Sequence, residues 1–467
     1  MEGGDGSVPL LEAKEGGLGK RSWMESKKLW HVAGPAVFSR ICMYGTGVVT
    51  QAFAGHLGNI QLAAFSIAYT VVVGFAFGLL LGMASALETL CGQAYGAKKY
   101  QMLGIYMQRS WIIILIASII MTPLYIFAAP VLEMIGQPRE IAEQAGALSL
   151  WLLPLHFSLG FQFTLQRFLL SQRKAVIIAY VSAAVFAVHV FLSWVVIHLL
   201  DLGIVGATWV LNLSWWLSPL GLIAYTVWGG CPLTWTGFSM EAFSGLWELL
   251  KLSVASGIML CLENWYYRIL ILLTGNLSNP EIAVDALSIC MNINGWEMMI
   301  PFAFFAATGV RVSNELGAGN GKAAKFATIV SVATSVIIGL IFCFLILIFH
   351  DKFALIFTTS PVIIHAVDKL SILLAITILL NSIQPVLSGV AIGSGWQALV
   401  AYINVGSYYL IGVPLGVLLG WAFHLGVEGI WAGMIGGTLA QTLILMFITL
   451  RCDWDKEALS ASTRVKK

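Results

Sequence analysis

The chain has 467 residues, of which 59% are hydrophobic and only 10% charged, and its formal net charge is +2. A soluble domain carries about 25% charged residues, so this composition excludes a soluble globular protein, and the near-neutral balance offers no basic surface for nucleic acid. The apolar runs reach the roughly 20 residues that a helix needs to cross a bilayer core, whereas the short alternating segments of a membrane β-barrel are absent.

An all-α polytopic membrane protein is therefore expected. Twelve spans are placed at 29–53, 60–88, 110–130, 143–166, 175–199, 203–228, 246–274, 283–310, 325–349, 363–391, 396–422 and 426–450. Residues 1–28 are rich in Gly and charge and are expected to form a disordered cytosolic tail. Within that tail, Pro9-Leu10-Leu11 is either a sorting signal or a chance pair. The tail lacks the layout of a cleaved signal peptide, so the first span is expected to serve as the insertion signal. Spans one to six make one lobe at 29–228, and 229–245 is a cytosolic linker. Spans seven to twelve make a second lobe at 246–450, and 451–467 is a second cytosolic tail.

Lys and Arg concentrate in the two tails and in the loops after the even-numbered spans, for example Lys98, Lys99, Arg173, Lys174, Lys322 and Lys325. Only Arg139, Lys352 and Lys369 fall in or beside opposite loops, and Arg40 and Arg268 lie inside spans. The positive-inside rule then puts both termini in the cytosol.

The two halves repeat one another. Gly55-His56-Leu57-Gly58-Asn59 is echoed by Gly275-Asn276-Leu277-Ser278-Asn279, and Leu202-Gly203 with Gly206 is echoed by Leu425-Gly426 with Gly429. Six spans per half is an even number, so the halves enter the membrane in the same orientation. That gives two six-helix lobes related by a pseudo-two-fold axis along the membrane normal, an arrangement of transporters with a cleft between the repeats. The seven cysteines are scattered and give no disulfide framework. Asn276-Leu277-Ser278 is a glycosylation sequon in a loop too short to be used.

Three motifs carry a family resemblance. Leu81-Gly82-Met83-Ala84-Ser85-Ala86-Leu87-Glu88-Thr89-Leu90-Cys91-Gly92-Gln93-Ala94-Tyr95-Gly96-Ala97 leads to Met107-Gln108-Arg109-Ser110-Trp111. Arg311-Val312-Ser313-Asn314-Glu315-Leu316-Gly317-Ala318-Gly319-Asn320 is the second, and Gln384-Pro385-Val386-Leu387-Ser388-Gly389-Val390-Ala391 the third. Together they resemble the signatures of plant multidrug and toxic compound extrusion (MATE) transporters, over roughly residues 28–455. The resemblance implies a two-lobed, twelve-helix antiporter that exports organic compounds on a proton gradient.

Charge inside the bilayer marks the candidate site. A charged side chain at the membrane centre costs at least ~2.5–3.5 kcal/mol, so buried acids there read as functional. Glu263 lies in Leu262-Glu263-Asn264-Trp265-Tyr266-Tyr267, about 18 Å from the far end of the seventh span. Burial disfavours the charged form of a carboxyl, which is what proton exchange requires. The resemblance places the family's seventh-helix proton-site glutamate at Glu263. It also places an aspartate in the tenth span, where this chain has Asn381, which does not titrate. Asn381 either binds Glu263 or bridges packed helices. Glu297, in Asn294-Gly295-Trp296-Glu297, lies at a similar depth in the eighth span. It either does part of the work of the missing aspartate or serves as counter-ion to Arg268. Asn264, Tyr267, Asn294 and Trp296 flank the two acids and are candidates to line the substrate or proton site. Arg40 in the first span either attracts an anion, pairs with an acid across the cleft, or is satisfied by backbone carbonyls. Glu88 and Glu315 near the cytosolic surface read as ion pairs or helix-end charges, or as parts of an inner gate.

No HExxH, GxSxG, phosphate loop or Cys/His metal spacing occurs, so no enzyme, cofactor or metal site is expected. The expected partners are protons, a small organic substrate and the lipid bilayer, with the protein acting as a monomer in the vacuolar or plasma membrane. An anion channel or organic-anion transporter is the alternative, with a lipid-linked flippase behind it.

Overall fold

The computed structural model describes residues 17–274, 280–350 and 352–466. Among these residues no strand occurs, and the chain is a succession of helices. In hydrocarbon every backbone N–H and C=O must be bonded within its own segment, which makes the helix the obligatory form for these sequences. We number them α1 (Leu18–Leu57), α2 (Asn59–Gly96), α3 (Tyr100–Ile126), α4 (Arg139–Trp151 continuing as Leu153–Ser171), α5 (Ala175–Leu199), α6 (Gly203–Gly230) and α7 (Leu246–Thr274). There follow α8a (Pro280–Glu297), α8b (Met299–Gly317), α9 (Gly321–Ile348), α10 (Pro361–Ser394), α11 (Gln397–Ala422), α12 (Gly426–Arg451) and α13 (Trp454–Lys466).

Nine of the described helices are long and apolar enough to cross a membrane, and the two parts of α4, bent by 52°, make a tenth candidate. The other two expected spans, at 246–274 and 283–310, coincide with α7 and with α8a plus α8b. Both are diluted by the polar residues of interest: Glu263, Asn264 and Arg268 in α7, and Asn292, Asn294 and Glu297 in α8a.

Two stretches expected as tails are ordered otherwise. α1 begins at Leu18, so residues 18–28 are helical rather than part of a disordered tail, and Glu25 is buried. Residues 1–16, including Pro9-Leu10-Leu11, and the repeat and sequon segment 275–279 lie outside the described residues. At the other end α13 is an amphipathic helix, with Trp454, Ala458 and Ala461 buried against the α8b and α9 region and Val465 buried in the main core. It touches both halves: Lys99 Nζ donates to the Val465 carbonyl (3.1 Å), and Arg464 donates to that of Ser394 (2.7 Å). The linker is also fixed, because Gln108 at the start of α3 donates to the Gly237 carbonyl and accepts from the Ser239 N–H.

The start of α1 and the helix α13 lie on one face, called here the terminal face, and the halves are clamped together there. α2 meets α8b so closely that a Cβ on Gly317 would stand 2.0 Å from the Gln93 carbonyl oxygen, and one on Gly96 2.0 Å from that of Asn314. Small residues permit this approach between membrane helices. Polar bonds follow the same seam: Thr89 Oγ1 donates to the Ile392 carbonyl (2.5 Å), and Gln93 Nε2 to that of Gly393 (3.0 Å). Arg311 of α8b reaches Glu25 of α1 at 2.7 Å and also holds Glu315. Towards the opposite face the pattern changes. α8b packs on α1 and α2 as well as on α10, whereas α8a packs mainly on α10 of its own half.

Candidate functional site

The second half gathers its polar residues where two helices lose a backbone bond. Pro301 has no N–H to give the carbonyl four residues back, which is that of Glu297, and the eighth span breaks between α8a and α8b at this point. Pro385 inside α10 stands in the same relation to Asn381. Each proline therefore frees a carbonyl at a residue singled out from the sequence.

Asn381 is fully buried and joins three helices. Its Nδ2 donates to Asn294 Oδ1 of α8a (3.0 Å), and its Oδ1 accepts from the Tyr267 hydroxyl of α7 (3.0 Å). Tyr267, Asn381, Thr377, Trp431 and Thr438 border a cavity of about 10 Å³, room for roughly one water. Asn381 therefore bridges helices rather than binding Glu263.

Glu263 is buried, and the side chain that reaches it is Gln384, one helical turn beyond Asn381. Its Oε2 has no hydrogen-bond partner among the described residues. Glu297 is buried, and neither carboxylate oxygen has a hydrogen-bond partner among the described residues. Tyr267 lies within electrostatic range of both acids and ties them into one neighbourhood. The alternative of an Arg268 counter-ion is not realised: among the described residues Glu297 is in no ion pair, and the Arg268 guanidinium lies against Gly74 of α2. Buried carboxyls without a cation are costly unless they take up a proton or bind a ligand.

The remaining candidates face the seam between the halves. Asn264 donates to the Leu260 carbonyl in its own helix (2.9 Å), and its amide packs against Gly78 of α2. Trp296 meets Tyr44 of α1 edge-on, with centroids 4.8 Å apart. Arg40 is half-buried on α1 with its guanidinium 5.9 Å from the Phe302 ring centroid, and it makes no hydrogen bond to a backbone carbonyl among the described residues.

Gln384 stands in the third motif without an assigned role, and the span limits 143–166 leave Arg167 in the following loop. Gln384 had a signal in its position one turn from Asn381, on the same helix face. Arg167 instead closes a buried pair in the first half, with Nη1 2.5 Å from Glu88 Oε2 and both side chains inaccessible. Glu88 and Glu315 are thus both in ion pairs. Removing one partner of a buried pair leaves an uncompensated charge worth ~3–5 kcal/mol. Arg167→Met is expected to lower the melting temperature sharply in detergent, and the double variant Glu88→Gln/Arg167→Met to recover most of the loss. A single variant as stable as the wild type would refute the pairing.

The family model MatE matches residues 35–195 and 255–418, the two halves of the chain in turn. The chain belongs to the MATE family of transporters. It is 61% identical to Protein DETOXIFICATION 27 of Arabidopsis thaliana over 480 aligned positions, covering 100% of this chain and 99% of the relative. Protein DETOXIFICATION 26 of the same plant is 59% identical, with 99% and 96% covered. The crystal structure of the eukaryotic MATE transporter AtDTX14 superposes with a TM-score of 0.91 at 32% identity, covering 95% of this chain and 99% of that one. The two-lobed fold extends to a Vibrio cholerae MATE transporter, VcmN in its bent form, at a TM-score of 0.80 and 16% identity. As a MATE protein the chain is a multi-pass membrane transporter of small organic compounds.

Proposed function

We propose that this chain is a proton-coupled antiporter that exports small organic compounds from the cytosol by alternating access, as a monomer in the vacuolar or plasma membrane. Twelve spans in two lobes carry the transport path, at 29–228 and 246–450, with the terminal face in the cytosol. The observation that carries the proposal is Glu263: a carboxyl buried in the second lobe, contacted by a neutral amide and, among the described residues, by no cation. Such a group exchanges charge by gaining or losing a proton.

Glu263 takes its proton from the acidic side of the membrane. Neutralising it removes a charge next to Tyr267 and Asn381, whose hydrogen bonds tie α7, α8a and α10 together. That rearrangement links protonation to the lobe contact at Asn264 and Trp296 and to release of substrate. Asn381 holds the helices without titrating, and Glu297 supplies the second acid in place of the family's aspartate.

Two measurements check this reading. In inside-acidic vesicles with the terminal face outward, a panel of organic compounds is expected to accumulate, and a protonophore to abolish the accumulation. Uptake indifferent to the gradient would undo the antiport assignment. Glu297→Gln is expected to lower gradient-driven uptake several-fold while leaving folding intact. Near-normal uptake by that variant would remove Glu297 from the mechanism and leave Glu263 as the sole proton site.

A further inference from the structure

We infer that the seam between the lobes contains an anion site centred on Arg40, and that the transported compounds are organic anions with an aromatic body. This rests on the transporter reading above and adds a substrate class to it.

Arg40, like Arg268, pairs with no carboxylate among the described residues, whereas two other deep arginines are committed. Arg167 holds Glu88, and Arg311 holds Glu25 and Glu315. Arg40 makes no hydrogen bond or ion pair among the described residues. Two of its charged neighbours are Glu88 and Arg167, and Glu88 is already committed to Arg167, whose Nη2 is itself unpartnered. Two guanidiniums therefore share the neighbourhood of one carboxylate, which is paired with only one of them.

Further donors lie nearby. Gln162 and Gln166 of α4 direct their amide N–H groups at the Met43 sulfur, at 3.8 and 3.2 Å, one turn along α1 from Arg40. A thioether is a weak acceptor, so these donors are held in reserve rather than satisfied. A half-buried cation without a counter-ion is partly desolvated at a cost, and a bound anion offsets that cost. The planar guanidinium suits a carboxylate, which it takes through two parallel bonds. Phe302 on one side and the Tyr44–Trp296 pair one turn further along give an aromatic wall for the rest of the ligand. The acids Glu263 and Glu297 lie in the other lobe, so a proton and an anion occupy separate groups.

The test is equilibrium dialysis of the full-length protein in detergent against 4-methylumbelliferyl glucuronide and 4-methylumbelliferyl glucoside, which share an aromatic body and differ in a carboxylate. The glucuronide is expected to bind about tenfold tighter, one decade of Kd. Arg40→Gln is expected to erase that preference while leaving glucoside binding within about twofold, and Arg40→Lys to keep part of it; melting temperatures control for folding. Equal affinities in the wild type, a preference that survives Arg40→Gln, or binding of neither conjugate would overturn the proposal. So would a chloride flux that Arg40→Gln abolishes without any conjugate binding, since the site would then take inorganic anions. Dialysis needs no gradient, so failure of the antiport reading would show separately, as uptake that ignores the pH difference.

Discussion

Glu263→Gln is expected to reduce the response of transport to a proton gradient severely while leaving the protein folded. Glutamine keeps the side-chain volume and can still meet Gln384, so packing around the buried site is retained. It cannot gain or lose a proton, so the state of α7 no longer depends on pH. A ligand shifts a conformational equilibrium only by its differential affinity for the two states, and protons then have none at this site. Coupling free energies of 1–3 kcal/mol correspond to roughly 5- to 150-fold, and the gradient-driven component of uptake is expected to fall by a factor in that range. Exchange of substrate down its own gradient is expected to continue. A variant that accumulates substrate against a gradient as well as the wild type would remove Glu263 from the coupling path.

Gly317→Val is expected to open the terminal face. A Cβ at Gly317 would lie 2.0 Å from the Gln93 carbonyl oxygen, and the obstacle is backbone, which does not step aside. Overpacking of this kind costs about 1–3 kcal/mol. The cost falls on the state in which α2 and α8b touch, and not on a state in which they part. A bias of 1.4 kcal/mol changes a two-state ratio tenfold. With the seven native cysteines replaced and a cysteine put at Ser313, which faces Gly92 in the closed seam, labelling by a membrane-impermeant thiol reagent is expected to rise roughly tenfold in the Gly317→Val background. Unchanged labelling with a lowered melting temperature would mean that the glycine serves packing alone.

Much of this was legible in the sequence because hydrocarbon is a demanding solvent. Long apolar runs have no alternative to the helix, and an acid such as Glu263 stands out against them. The two-half architecture followed from repeated motifs and an even span count. What the sequence hid were pairings across distant elements. Glu88 and Arg167 lie on different helices, and nothing local announces their contact. Asn381 was legible as a departure from the family pattern, but its partners Tyr267 and Asn294 were chosen by helix rotation, which one span's composition does not set. The prolines offered a signal that went unused, since Pro301 and Pro385 each stand four residues beyond a site residue. The α13 helix was missed for a different reason. Trp454, Ala458, Ala461 and Val465 follow helical spacing, but the segment is short and charged, and its apolar stripe gains stability only against the α8b and α9 region and the main core.

The most direct test of proton antiport is to follow protons rather than substrate. In inside-acidic vesicles carrying an entrapped pH indicator, adding a compound that the wild type accumulates should discharge the pH difference, and Glu263→Gln vesicles should largely hold it. Uptake of that compound by the wild type without any accompanying proton movement would contradict the account.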